Sequence, residues 1–102
     1  MMKLIEIEPH FWELYQNQDQ LYLSVSVDNS AATYNWDLHL TQAQQQAYQQ
    51  QGRESIVEFA KQIVTAVFRG DFSFVEQYAT TLEEQNAMLA AFKVWRNLQK
   101  ND

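Results

Sequence analysis

The sequence predicts an α+β fold: a three- to four-stranded antiparallel meander in the N-terminal half, covered on one face by three or four helices from the C-terminal half. Three observations predict it. Leu21–Leu40, LYLSVSVDNSAATYNWDLHL, holds two runs of strict apolar–polar alternation joined by a short polar turn, the signature of a β-hairpin. After Leu40 the apolar spacing changes to three and four residues, the period of a helix. All strand-like runs precede all helix-like runs, which is the order expected of α+β rather than α/β. At 102 residues the chain has room for one hydrophobic core, so 1–102 is expected to be a single domain.

The first strand is expected at Lys3–Glu8, KLIEIE, alternating at Ile5 and Ile7. Pro9 ends it or starts a turn, because proline has no N–H to give to a ladder. Phe11–Gln16, FWELYQ, fits either a strand or a single helical turn, and its aromatics suit a half-buried strand. Asn17–Gln20 is turn-like. In the hairpin, Leu21, Leu23, Val25 and Val27 share a face with Tyr34, Trp36, Leu38 and Leu40. Tyr22, Ser24, Ser26 and Asp28, with Thr33, Asn35, Asp37 and His39, take the other face, which is expected to be wet. The turn is placed at Asp28–Ala32.

Thr41 with Gln44 reads as a capping box that starts a glutamine-rich helix over Gln42–Gly52, with Gly52 placed to close it. Ser55 with Glu58 reads as a second box. Ile56, Phe59, Ala60, Ile63, Val64 and Val67 follow it as the clearest amphipathic stripe and the natural cover for the sheet. Gly70 is placed to stop that helix, so Arg69-Gly70-Asp71 reads as a helix end and not as an adhesion tripeptide. Ser73 with Glu76 marks a short third helix carrying Phe74, Val75 and Tyr78. A last helix begins at Thr80 or Thr81, with Met88, Leu89, Phe92, Trp95 and Leu98 expected on its inner side.

Charge is unevenly spread. Net charge is −6, and no lysine or arginine occurs from Leu4 to Gly52. That half carries Glu6, Glu8, Glu13, Asp19, Asp28 and Asp37 against Lys3 alone. An acidic half repels phosphate, so nucleic acid is not an expected partner, whereas a basic protein would be steered toward it. No apolar run approaches roughly 18 residues and no secretion signal opens the chain, so no membrane partner and a cytoplasmic location are expected. There are no cysteines, and two glycines cannot build a phosphate-cradling loop. No cofactor and no metal are expected.

Asp37 and His39 stand two apart on one strand and so share a face, with Ser24, Ser26 and Asn35 across the hairpin. Such a pair fits a small ligand-binding domain or an enzyme, but two titratable groups without a nucleophile or third ligand specify no reaction. His10 and Glu13 would add metal ligands only under a favourable strand order. The absence of a catalytic constellation leads to the expectation of a non-enzyme. A structural subunit pairing through its sheet edge is a further alternative.

From Tyr22 to Ile63 the chain runs as an aromatic–aliphatic strand, a Ser30-Ala31 turn and a second strand closing on Leu40-Thr41. Tyr48, Gly52, Ile56, Phe59-Ala60 and Ile63 follow. This stretch resembles small acidic bacterial immunity proteins of contact-dependent growth inhibition and related polymorphic toxin systems. The matching positions are scaffold positions, so they carry over no binding residue. Where such proteins are expected to place an acidic residue in the helix after Leu40-Thr41, this chain has Gln44–Gln46. The resemblance implies a non-enzymatic inhibitor that binds a cognate toxin domain, often a basic nuclease. On that reading the polar sheet face supplies the contacts: Tyr22, Asp28, Asn35, Asp37 and His39, with Glu13 and Asp19 at the rim.

Overall fold

A computed structural model describes residues 1–29 and 32–100. Four strands, β1 (Lys3–Glu8), β2 (Trp12–Asn17), β3 (Gln20–Asn29) and β4 (Ala32–His39), form one antiparallel sheet in sequential order β1-β2-β3-β4. Four helices follow: α1 (Gln42–Gln51), α2 (Arg53–Phe68), α3 (Ser73–Gln77) and α4 (Leu82–Lys100). The fold is α+β, strands first and helices after. The expected Ser30-Ala31 turn lies outside the described residues.

Phe11–Gln16 resolves to a strand, since β2 pairs with β3 from Trp12↔Val25 to Asn17↔Gln20. Leu14, Leu23 and Leu38 stand in one cross-strand row, each fully buried. With Trp12, Leu21, Val25, Val27 and Leu40 they floor the main core, and Ile56, Ala60 and Ile63 of α2 and Val75 of α3 close it. Phe59 sits half-buried beside it, edge-on to Phe74 at 5.4 Å. The hairpin alternation and the α2 stripe therefore meet as expected.

β1 departs from simple alternation. A bulge between Leu4 and Glu6 resets β1, leaving Ile5 unpaired and exposed and turning Glu6 onto the main-core face. There Glu6 accepts a hydrogen bond from the Tyr48 hydroxyl of α1 and meets Arg53 at 3.4 Å. Arg53 also pairs with Glu8 at 2.7 Å, donates to the Ile7 carbonyl at 3.1 Å and lies 4.6 Å above the Trp12 ring. One guanidinium thus pins the β1 edge to the start of α2.

The capping boxes at Thr41–Gln44 and Thr81–Glu84 form with both bonds present. The box expected at Ser55 does not form. Gly52, at φ +69, both closes α1 and starts α2, and the Ser55 hydroxyl donates back to its carbonyl. Ser73 is likewise no cap: it lies inside α3, and the Asp71 carboxylate accepts from its N–H and hydroxyl. Those two bonds hold the Asp71 carboxyl below the usual carboxylate range.

α1, α2 and α3 cover the expected face. α4 crosses to the other one. Its Met88 and Ala91 pack with Met2, Tyr15 and Tyr22 in a second core, with Leu4, Ala87 and Phe92 alongside. Leu89 and Leu98, expected inside, are exposed, while Trp95 is half-buried. The inner stripe of α4 is Ala87-Met88-Ala91-Phe92, because a helix crossing a sheet closely places small residues at the contact. Leu23→Ala is expected to cost about 3–5 kcal/mol, because its cavity opens at the centre of a closed row. Leu98→Ala, at a site 62% exposed, should stay within about 0.5 kcal/mol. Urea unfolding of both variants checks the assignment of faces.

Candidate functional site

The sheet face once expected to be wet divides into two halves. The half nearest the β2–β3 turn is covered. Tyr22 is only 7% exposed there, opposite Tyr15 on β2 and under α4. It is a packing residue and not a surface contact, which corrects its place among the expected contacts. The alternation around it resembles a wet face because tyrosine suits either environment. The unused signal was Tyr15 directly opposite, with Met2 and Leu4 able to extend the patch.

The Tyr22 phenol lies beside the Glu84 carboxylate in the first turn of α4. Burial first, and then the neighbouring Glu84 carboxylate, push the Tyr22 phenol up from 10.0 to about 12. For Glu84 burial is the largest single influence and raises its carboxyl. The bond from the Thr81 N–H, the adjacent Tyr22 hydroxyl and the Thr81 side chain, with His39 nearby, together outweigh it and hold the group below its ordinary 4.5.

Beyond Tyr22 lies a cleft of about 310 Å³ between the sheet and α4. Its floor is the cross-strand row Glu13–Ser24–Asp37, with Tyr15 and Asn35 beside it; Gln85, Met88, Leu89 and Phe92 form the helix wall. Two flanking carboxylates, roughly 10 Å apart across two strand spacings, make the cleft acidic. Glu13 accepts from the Tyr15 hydroxyl at 2.6 Å, and burial together with this bond pushes the Tyr15 phenol far up. Among the described residues no three metal-ligating side chains gather.

The structure brings Glu13, Asn35 and Asp37 together in this cleft. It does not bring His39 in. That ring lies edge-on to Tyr78 at 5.5 Å, outside the cleft lining. The Asp37–His39 pair therefore shares a face without sharing a cavity. Asp19 is exposed in the β2–β3 turn, beside Gln18 at φ +56, at the end of β3 remote from Asp28. The seven expected contacts do not form one surface.

The far half of the hairpin is open. Strand β2 stops pairing at Trp12↔Val25, and the Ser26 N–H donates one last bond to the Phe11 carbonyl at 2.8 Å. From there β3 and β4 run on as a two-stranded arm, with Ser26↔Asn35, Val27↔Tyr34 and Asp28↔Thr33 paired. Asp28, Thr33 and Asn35 are exposed on one side, where the Ser26 hydroxyl donates to the Asn35 side chain at 2.8 Å. On the other side a groove of about 490 Å³ is lined by Val27, Tyr34, Trp36, Val67, Phe68 and Phe72. Tyr34 is 55% and Phe68 60% exposed. Sequence reading placed Tyr34 in the core, because alternation reports which face a residue takes but not whether a helix reaches that far along the strand.

No helix of the described residues is long and apolar enough to cross a membrane. No protein-family model, curated protein or solved structure matches the chain.

The Tyr22–Glu84 link has a pH signature at each end. A phenol raised on folding favours the folded state below pH 10, and that contribution disappears as pH rises toward 12. Tyr22→Phe should flatten the alkaline loss of stability over that window. A carboxyl lowered on folding contributes above its ordinary 4.5 and loses the contribution as pH falls below it, so Glu84→Gln should flatten the acid limb. Unfolding free energy measured against pH for both variants checks each sign.

Proposed function

We propose that this protein is a non-enzymatic binding module that captures a basic bacterial toxin domain in the cytoplasm, as its immunity protein. The observation that carries the proposal is the hairpin arm. It combines exposed aromatics around an apolar groove with carboxylates on a segment that has no lysine or arginine from Leu4 to Gly52.

An interface of this composition has an apolar centre that excludes water and a polar rim that selects charge. Exposed tyrosine and phenylalanine serve as anchors because they bury much area for few frozen torsions. Asp28 stands at the rim, and Asp37 and Glu13 extend the negative field along the neighbouring cleft. Such a field draws in a cationic partner before contact and falls away with salt. The same field opposes nucleic acid, so an inhibitor of a nuclease would compete for the enzyme and not for its substrate. The resemblance of Tyr22–Ile63 to immunity proteins points to the same role.

The test is binding to the toxin domain encoded immediately upstream. Nanomolar affinity is expected, together with loss of toxin activity in the complex. An upstream toxin that binds no more tightly than an unrelated basic protein would end the reading. Within the complex, Asp28→Lys is expected to slow association at low salt by about tenfold, the rates converging at high salt. Stopped-flow rates across a salt series measure this, and equal low-salt rates for the two proteins would remove Asp28 from the steering surface.

A further inference from the structure

The outer edge of β4 is half closed and half open. In an antiparallel ladder the main-chain groups of alternate residues point to alternate neighbours. In β4 the odd-numbered residues point away from β3. The His39 N–H donates to the Tyr78 carbonyl at 3.0 Å, and the Asp37 carbonyl accepts from the Thr80 N–H at 3.1 Å. These bonds form an isolated antiparallel bridge, Leu38↔Ala79, so the Tyr78–Thr80 segment acts as a one-bridge fifth strand. It covers the edge at Asp37–His39 and goes no further. The same alternation directs the N–H and carbonyl groups of Thr33 and Asn35 outward, along an exposed stretch of strand.

The other edge of the sheet is defended. β1 is interrupted by its bulge, and Arg53 occupies the Ile7 carbonyl. Among the described residues, β4 has neither device over Ala32–Trp36. It has instead the aromatic groove on one side, where Tyr34 and Trp36 project, and the Asp28, Thr33, Asn35 and Asp37 side on the other. Trp36 and Phe72 meet at 5.6 Å, so the groove wall is built by β4 together with the segment leading into α3.

We propose that the open edge of β4 is a strand-addition site, which receives an extended segment of the partner with alternating apolar and basic side chains. This rests on the reading of the protein as a binder of a basic protein and names how that partner is held. The incoming strand continues the line begun by Ala79 and bonds to the outward groups of Thr33 and Asn35. Its side chains at one parity enter the Tyr34–Trp36–Phe72 groove. Those at the other parity face Asn35 and the carboxylates of Asp28 and Asp37, and charge complementarity makes them lysine or arginine.

The test uses an acetylated, amidated octapeptide of alternating lysine and valine as probe, beside one of alternating glutamate and valine. Amide exchange followed by NMR should show protection of Thr33 and Asn35 on adding the basic peptide and none with the acidic one. Thr33→Pro removes an outward N–H that the β3 ladder does not use, and it should weaken the basic peptide by about tenfold, one lost main-chain bond. Thr33→Ala, which keeps the N–H, should bind as the native protein does. Circular dichroism and urea unfolding of Thr33→Pro confirm that the sheet is intact; if it is not, Asn35→Pro replaces it under the same expectation.

Protection elsewhere, equal response to both peptides, or equal weakening by Thr33→Ala would overturn the proposal. So would a concentration-dependent dimer that protects Thr33 and Asn35 without peptide, since the occupant would then be a second copy. The two readings fail separately. An upstream toxin that binds the folded proline variant as tightly as the native protein sinks strand addition and leaves the immunity role. A peptide response without toxin binding does the reverse.

Discussion

The row Leu14–Leu23–Leu38 is the constraint on which the rest of the molecule depends. It runs across the three strands β2, β3 and β4, and none of its members is exposed. Because side chains alternate along a strand, fixing these three on one face also fixes Tyr15 and Tyr22 on the other. One row therefore requires two covers. α2 provides the first with Ile56, Ala60 and Ile63. α4 provides the second with Met88 and Ala91. A slip of one residue in β3 would present Ser24 to α2 and Leu23 to α4, and neither helix could accept the exchange.

The two covers differ in kind. α2 brings a continuous apolar stripe of residues spaced by three and four, and Arg53 at its start ties it to the β1 edge. α4 makes a narrower contact, and its start is fixed by the Thr81–Glu84 box, with Glu84 beside the Tyr22 phenol of the sheet. Glu84 serves the cap and the sheet with one carboxylate.

The legible parts of the sequence were those in which one periodicity decides the outcome. The β3–β4 hairpin and the α2 stripe were readable because Leu21–Val27 and Ile56–Val67 each fit a single template. α4 was not, because Leu82, Leu89, Val94 and Leu98 are apolar and exposed while the buried positions include Ala91. Hydrophobicity alone ranks those leucines inward, and only the close approach of the helix to Tyr15 and Tyr22 favours alanine. The cap at Ser55 failed for a backbone reason, since a glycine at positive φ already joined two helices there. Of the candidate site, Asp28 and Asn35 were placed correctly as exposed residues. The Phe68 and Phe72 wall of the groove was not visible, because nothing local relates the end of α2 to the far end of β4.

The covers also explain where the protein is left open. α2 ends at Phe68 and α4 lies toward β1, so neither reaches the last residues of the hairpin arm. The chain there keeps apolar side chains on one face, as a core strand would, but only Val67 and Phe68 at the end of α2, with Phe72, border them. Val27 is buried at the root of the arm, while Tyr34 opposite it is left in solvent. A sheet that closes its β1 edge with a bulge and an arginine, and half of its β4 edge with a bridge from Ala79, has the means to close the remainder. Leaving an unpaired edge beside exposed aromatics costs solubility and invites self-association. The acidic side chains around it offset that cost by repelling a second copy of the same chain, and they attract a cation at the same time. On the proposed reading, the same acidic side chains that disfavour a second copy of this chain also favour a basic partner.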